Sequence, residues 1–215
     1  MTTLHPILMA GLIVGAFTLV SVSVVVVTHQ ATESRIEDNQ RLSLLDKLHA
    51  LVPANWVDND LTADIIQVPG PAALGGREMK VYRGRQKGQP VALILAVVAP
   101  DGYAGPIQLL VAVKTDGTLA GVRVLSHQET PGLGDRIEEQ KSGWVLGLME
   151  KSLDHPAIER WKVKRDGGDF DQFTGATVTP RAVVKAVKNT LLFVKEQQAS
   201  LFLAPSPPPP QEKHP

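Results

Sequence analysis

Residues 90–125 read PVALILAVVAPDGYAGPIQLLVAVKTDGTLAGVRVL. Three apolar runs stand out: Pro90–Ala99, Ile107–Lys114 and Leu119–Leu125. Each is short, rich in Val, Ile and Leu, and bounded by turn residues, which is the pattern of strands. Thr115-Asp116-Gly117-Thr118 separates the last two, and Asp-Gly between apolar runs predicts a hairpin. Asp101-Gly102-Tyr103-Ala104-Gly105-Pro106 marks a loop between the first two. A shorter alternating run, Met79–Arg83, comes earlier, after a loop carrying Gly70, Pro71, Gly75 and Gly76. Residues 64–124 therefore predict a mostly antiparallel sheet.

Downstream the period changes. Ile137 to Ser152 reads as a helix, with Trp144, Leu146, Leu148 and Met149 available for packing. Asp166-Gly167-Gly168-Asp169 is a turn cluster. A second helix is expected from Pro180, with Thr179 as its N-cap and Pro180 at the first helical position. Val183, Val184, Val187, Leu191 and Val194 give it an apolar stripe. The fold class is therefore α+β, an antiparallel sheet with packed helices. Residues 204–215, APSPPPPQEKHP, hold six prolines. The segment 201–215 is expected to be an extended, disordered Pro-rich tail.

Upstream, residues 1–32 contain no Asp, Glu, Lys or Arg. The run 7–28, ILMAGLIVGAFTLVSVSVVVVT, would span roughly 33 Å as a helix, enough to cross a bilayer core. A cleaved signal peptide would carry Lys or Arg before the run and a small-x-small site after it, and neither is present. An uncleaved transmembrane helix within 1–32 is the expectation. Gly11 and Gly15 form a small-xxx-small pair of the kind that seats a second membrane helix. Residues 33–53 follow as an amphipathic stalk helix carrying Ile36, Leu42, Leu45, Leu48 and Leu51 and stopped by Pro53. The folded domain is then 54–200. Arg35, Arg41 and Lys47 just beyond the span mildly favour a cytoplasmic C-terminal domain, but long domains cross largely regardless of such charges. The charges leave the side open.

Composition narrows the chemistry. Lys plus Arg and Asp plus Glu are both 22, so the net charge is zero and the basic excess of a nucleic-acid binder is missing. There is no cysteine. Disulfides, thiolate zinc sites, cysteine-ligated clusters and cysteine nucleophiles are thereby excluded. Any cofactor must be held by oxygen, nitrogen or shape.

Two polar segments are left unexplained by packing: Ser126–Asp135, SHQETPGLGD, and Asp169–Thr179, DFDQFTGATVT. In the second, Gly175 and Ala176 leave little bulk beside Thr177. Thr177 lies just before a helix start, where free N–H groups and the dipole favour an anion such as phosphate. On local physics alone, Thr174, Thr177 and Thr179 read more readily as turn and cap residues, since such caps are frequent. In the first, His127 and Glu129 would share one face of an extended chain. They read as a metal pair, a general acid/base pair, polar contacts to a ligand, or a hydrogen-bonded surface histidine at a strand end. Two ligands are too few for an ordinary zinc site. Pro131-Gly132-Leu133-Gly134 lets backbone approach a flat ligand closely. Ser126 lacks the Gly-x-Ser-x-Gly elbow of a hydrolase, and no Walker loop is present.

TGATVT at Thr174–Thr179 together with HQETPGLGD at His127–Asp135 resembles the RnfG/RsxG family, the FMN-binding subunits of Rnf/Rsx electron-transport complexes. That family is related to NqrC of the sodium-translocating NADH:quinone reductase. The resemblance extends through APDGYAGPIQLLV at Ala99–Val111 and KRDGGDFDQFTGATVTPRAVV at Lys164–Val184, and with the N-terminal span it covers most of residues 1–195. It implies that FMN is esterified through its phosphate to Thr177 by a separate flavin transferase, which uses FAD and magnesium. It implies that 54–200 is a periplasmic FMN-binding domain, anchored in the bacterial inner membrane by a single span. The domain would relay electrons among other Rnf/Rsx membrane subunits, in a complex coupling ferredoxin and NAD oxidoreduction to ion movement. Such a protein is an electron carrier, not a stand-alone catalyst. His127, Glu129, Thr130, Gly132, Leu133 and Gly134 would lie near the flavin ring. Thr174, Gly175, Ala176, Val178 and Thr179 would cradle the ribityl phosphate. The competing reading is a membrane-anchored assembly module that carries no flavin.

Overall fold

The computed structural model describes residues 4–204, with side chains described for 8–29 and 42–204. The chain divides into two compact units, 1–44 and 45–215. The first is a helix, and α1 as a whole runs Leu4–His49 without a break. Its segment Leu8–His29 has a mean hydropathy of 2.5, with none of it buried in the protein. Among the described residues this is the one helix long and apolar enough to cross a membrane. Thr18 and Thr28 return their hydroxyls to the carbonyls of Val14 and Val24, so neither side chain leaves a polar group unsatisfied. The segment expected as a stalk helix leading out of the membrane is part of α1 as far as His49, four residues short of Pro53.

The second unit is built on a five-stranded antiparallel sheet in chain order: β1 (Ile65–Pro69), β2 (Glu78–Gln86), β3 (Gln89–Ala99), β4 (Ile107–Lys114) and β5 (Leu119–Ser126). The turn between β4 and β5 is the Asp-Gly turn expected. Lys114 N–H bonds Thr118 O, Gly117 takes a φ of +84°, and Asp116 Oδ1 accepts from both N–H and O–H of Thr118. β1 was not legible. It has five residues, one of them proline, and its alternation is too short to register.

Both faces of the sheet are covered, which explains the unbroken apolar run of β3. On one face, Leu93, Leu95, Val97, Leu109, Val111 and Val113 join a core with Val183, Val187, Leu191 and Val194 of a second helix, α2 (Val178–Leu203). On the other, residues 48–61 fold back over the strands. Val57 and Leu61 close over Gly84, and Leu51 over Gly121.

Three expectations are corrected. Residues 137–152 are not an α-helix; they hold a 3-10 segment, Gly143–Leu148, capped by Ser142 Oγ accepting from Trp144 N–H. Gly143 and Gly147 disfavour a sustained α-helix, and the buried pair Val145 and Leu148 at i, i+3 suits the tighter turn. α2 begins at Val178 with Thr177 as its N-cap, so Thr179 lies inside the first turn. Finally, α2 continues through Leu201–Leu203, with Leu201 and Phe202 buried, so the tail cannot begin at 201. The Pro-rich stretch from 205 onward lies outside the described residues.

The C-terminal end of α2 is fixed by Arg83. Its side chain is buried, pairs with Asp64, and donates from Nη1 to the carbonyls of Leu201, Phe202 and Ala204. Arg85 adds Nε to Asp64 Oδ2 at 2.9 Å and Nη2 to Phe202 O at 2.8 Å. Helix ends leave carbonyls without intrahelical donors, and cationic donors satisfy them while favouring the negative pole of the dipole. The sequence carried one sign of this: Met79, Val81 and Arg83 alternate on one strand, and only the third is charged.

Candidate functional site

The two polar segments meet at the start of α2. Phe173-Thr174-Gly175-Ala176 closes a turn in which Ala176 N–H bonds Phe173 O at 3.1 Å. Gly175 has a φ of +83°, and a turn with positive φ at its third position selects glycine. Phe173 anchors the turn from below. It is buried against the edge of Trp144 at 5.3 Å, with the Arg136 guanidinium over its ring. Thr174 and Gly175 are left exposed at the tip. A Cβ added at Gly175 would meet Leu133 Cδ2 at 3.7 Å, so the HQETPGLGD segment borders this tip.

Thr177 follows the turn, half-buried, and its hydroxyl makes no capping bond. The first N–H groups of α2 have no intrahelical acceptor, and Pro180 supplies none. Arg181, one turn on, donates from Nε and Nη2 to Asp166 at 2.6 and 2.9 Å. Those bonds hold the Asp166 carboxyl below the usual carboxylate range, helped by Arg165 and Lys162, and raise Arg181 in turn. Arg181 is therefore already committed, and an anion at Thr177 would be met by backbone N–H groups and the dipole.

Leu133 is 44% exposed and Val178 39% exposed, so two apolar side chains stay open, Leu133 against the Gly175 tip and Val178 next to the threonine in the chain. Thr130 O collects the N–H groups of Leu133 and Gly134 at 3.1 and 3.0 Å, which shapes Pro131–Gly134 into a tight turn. A half-open apolar surface, a small-residue turn and a hydroxyl without a partner at a helix N-terminus together fit a flat aromatic group carrying a phosphate. The donor set fits FMN.

His127 and Glu129 do not form a pair pointing outward. His127 Nδ1 accepts from Glu129 N–H at 3.0 Å, and its Nε2 faces Glu138 Oε1 at 2.8 Å. That arrangement assigns the proton to Nε2. Glu129 is 4% exposed; its Oε1 accepts from Ala104 N–H at 3.1 Å, and its Oε2 from the Thr179 hydroxyl. The polar atoms of Glu129 and Thr179 thus face each other and the 102–105 loop. Among the described residues no cluster of three or more His, Asp or Glu could hold a metal. Ala104 and its flanking glycines were missed as site residues; the signal was Gly102 and Gly105 bracketing an exposed Tyr103.

Gly134 is wedged against this carboxylate. A Cβ there would lie 2.8 Å from Glu129 Oε2 and 2.9 Å from Thr179 Oγ1. Gly134→Ala is expected to displace Glu129 and cost about 1–3 kcal/mol as overpacking. Urea unfolding at constant m-value measures the cost, and an unchanged midpoint would contradict the contact.

The FMN-binding domain family matches residues 102–192, and the family of the RnfG N-terminal region matches residues 1–51. Relatives align over nearly the whole chain. The G subunit of the ion-translocating oxidoreductase complex of Shewanella amazonensis is 50% identical over 196 residues, 91% of each chain. The protein of the same name from Shewanella oneidensis is 44% identical over 202 residues, covering 94% of this chain and 95% of the relative. That from Vibrio atlanticus is 42% identical over 195 residues, covering 91% and 93%. With both family matches and this coverage, the chain belongs to the RnfG family of ion-translocating oxidoreductase subunits and carries that family's FMN-binding domain.

Proposed function

We propose that this chain holds FMN covalently, through a phosphoester to Thr177, and relays electrons between other membrane subunits of an ion-translocating oxidoreductase complex. Thr177 carries the reading. It is the one hydroxyl of the TGATVT segment that is half-buried, uncapped and set at the start of a 26-residue helix. Thr174, Gly175 and Ala176 supply a turn without bulk, and Val178 offers an apolar side chain. His127, Thr130 and the Gly132–Gly134 backbone, with the Leu133 side chain, lie along the flank where the ring would rest. Bound FMN supplies electron transfer; the chain supplies position, partial water exclusion and the helix-terminal field. A covalent tether keeps the flavin where free FMN would dilute away. The segment Leu8–His29 supports anchoring in a lipid bilayer. In this reading the bilayer is the inner membrane and the domain lies on the periplasmic side. A separate flavin transferase would install the group.

Intact-mass measurement of the full chain, made in a host that carries the transferase, tests the linkage. The expected result is one added FMN mass that peptide mapping places on Thr177. A colourless chain of unmodified mass, from a host that loads another flavoprotein, would favour the flavin-free assembly module. A reporter fused after Pro215 is expected to be active only in the periplasm; activity only in the cytoplasm would reverse the orientation.

A further inference from the structure

The polar atoms of Glu129 are spent inside the protein, on groups far apart in the chain. Its Oε1 accepts from Ala104 N–H in the loop between β3 and β4. Its Oε2 accepts from the Thr179 hydroxyl in the first turn of α2, a bond that is fully buried. Its own N–H is held by His127 Nδ1. Gly102 and Gly134 both lie so close that neither tolerates a Cβ beside the carboxylate. Three segments, 102–105, 127–134 and 177–179, therefore converge on one side chain.

We propose that Glu129 is a positioning residue for the flavin site, and this rests on the linkage at Thr177. Its carboxylate anchors Thr179 and thereby sets where the Thr177 hydroxyl stands relative to Leu133. A buried carboxylate with both oxygens engaged holds its partners firmly, because losing either bond leaves an oxygen unsatisfied. Thr177 is two residues from the anchored hydroxyl, at the helix N-cap. A shift of the first turn therefore moves it directly. Misplacement by about 1 Å is enough to slow a group transfer by ~100-fold.

The test measures the rate at which purified flavin transferase, with FAD and magnesium, loads the full-length chain in detergent. Glu129→Ala and Thr179→Val are expected to lower kcat for loading about tenfold or more, with KM little changed because the TGAT turn is intact. Glu129→Gln is expected to restore most of the rate, since its carbonyl serves Ala104 N–H and its amide serves Thr179 Oγ1. Thr179→Ser, which keeps the hydroxyl, should load like wild type. Wild-type rates in Glu129→Ala and Thr179→Val would overturn the proposal. So would a Glu129→Gln chain that is folded yet as slow as Glu129→Ala, because charge and not position would then matter. If Glu129→Ala does not fold, the Thr179 pair decides: a slow Val with a fast Ser supports the role, and equal rates overturn it. A wild-type chain that takes no flavin would remove the linkage and the positioning role with it, whereas a loaded wild type with indifferent variants removes only the latter.

Discussion

Thr177→Val is expected to abolish covalent flavin completely while leaving the domain folded. Valine keeps the branched shape and removes the oxygen that a phosphoester needs. The Thr177 hydroxyl makes no capping bond, so its removal should cost no more than about 0.5 kcal/mol, a shift of ~1–2 °C in Tm. A denaturing gel should then show no fluorescent band, and the intact mass should be that of the bare chain. Thr179→Val is the companion. It retains the attachment oxygen and breaks the bond to Glu129, so it should load slowly but on the same residue. Full loading of Thr177→Val, mapped to Thr174 or Thr179, would move the linkage elsewhere.

Arg83→Met should produce the largest loss of stability. The variant keeps the length of the stem and removes the guanidinium. Asp64 loses its buried partner and keeps only Arg85, Phe202 O keeps the Arg85 donor, and the carbonyls of Leu201 and Ala204 lose the Arg83 donor. Breaking a buried pair costs about 3–5 kcal/mol when the other member is left uncompensated; with Arg85 still on Asp64, the loss is expected at the lower end, about 3 kcal/mol. For a domain of this size that lowers Tm by ~10 °C. Arg85→Met removes a side chain 23% exposed and should cost only about 1 kcal/mol. A thermal melt of Arg83→Met within ~2 °C of wild type would refute the locking role.

The parts of the fold that were legible are those where local chemistry and tertiary packing agree. β3, β4 and β5 carry long apolar runs between glycine-bearing loops, and the Asp116-Gly117 turn has few alternatives. The stripe on α2 was equally plain, since Val183, Val187, Leu191 and Val194 repeat with the helical period. Local rules failed where a distant group decides. Thr179 looks like a cap in sequence, but Glu129 takes its hydroxyl, and the helix starts at Val178 instead. Glu129 looked like a ligand contact because the group that engages it lies 50 residues away. Residues 137–152 contain enough apolar side chains for a helix, yet Gly143 and Gly147 and the short span between turns yield only a 3-10 segment. In the site, the TGAT turn was legible as a small-residue turn before a helix. The role of Ala104 was not, because a backbone N–H carries no signature in sequence.

The strict chain order of the sheet has a consequence for when the site exists. Each strand pairs with the one made just before it, so the sheet can close by successive short-range steps as the chain emerges. The contacts of α2 are of another kind: Thr179 reaches back 50 residues to Glu129, and the carbonyls of Leu201 and Phe202 lie 118 and 119 residues from Arg83. Long loops close late, after local pairings have formed. A nascent chain that has completed β5 thus has a sheet but no presented Thr177. The threonine acquires its place only when the last helix has docked along its whole length. With the linkage proposed at Thr177, flavin attachment would be a step of maturation that follows synthesis of the entire domain, and chains cut short before Phe202 would be left without the Arg83 latch that keeps that helix home.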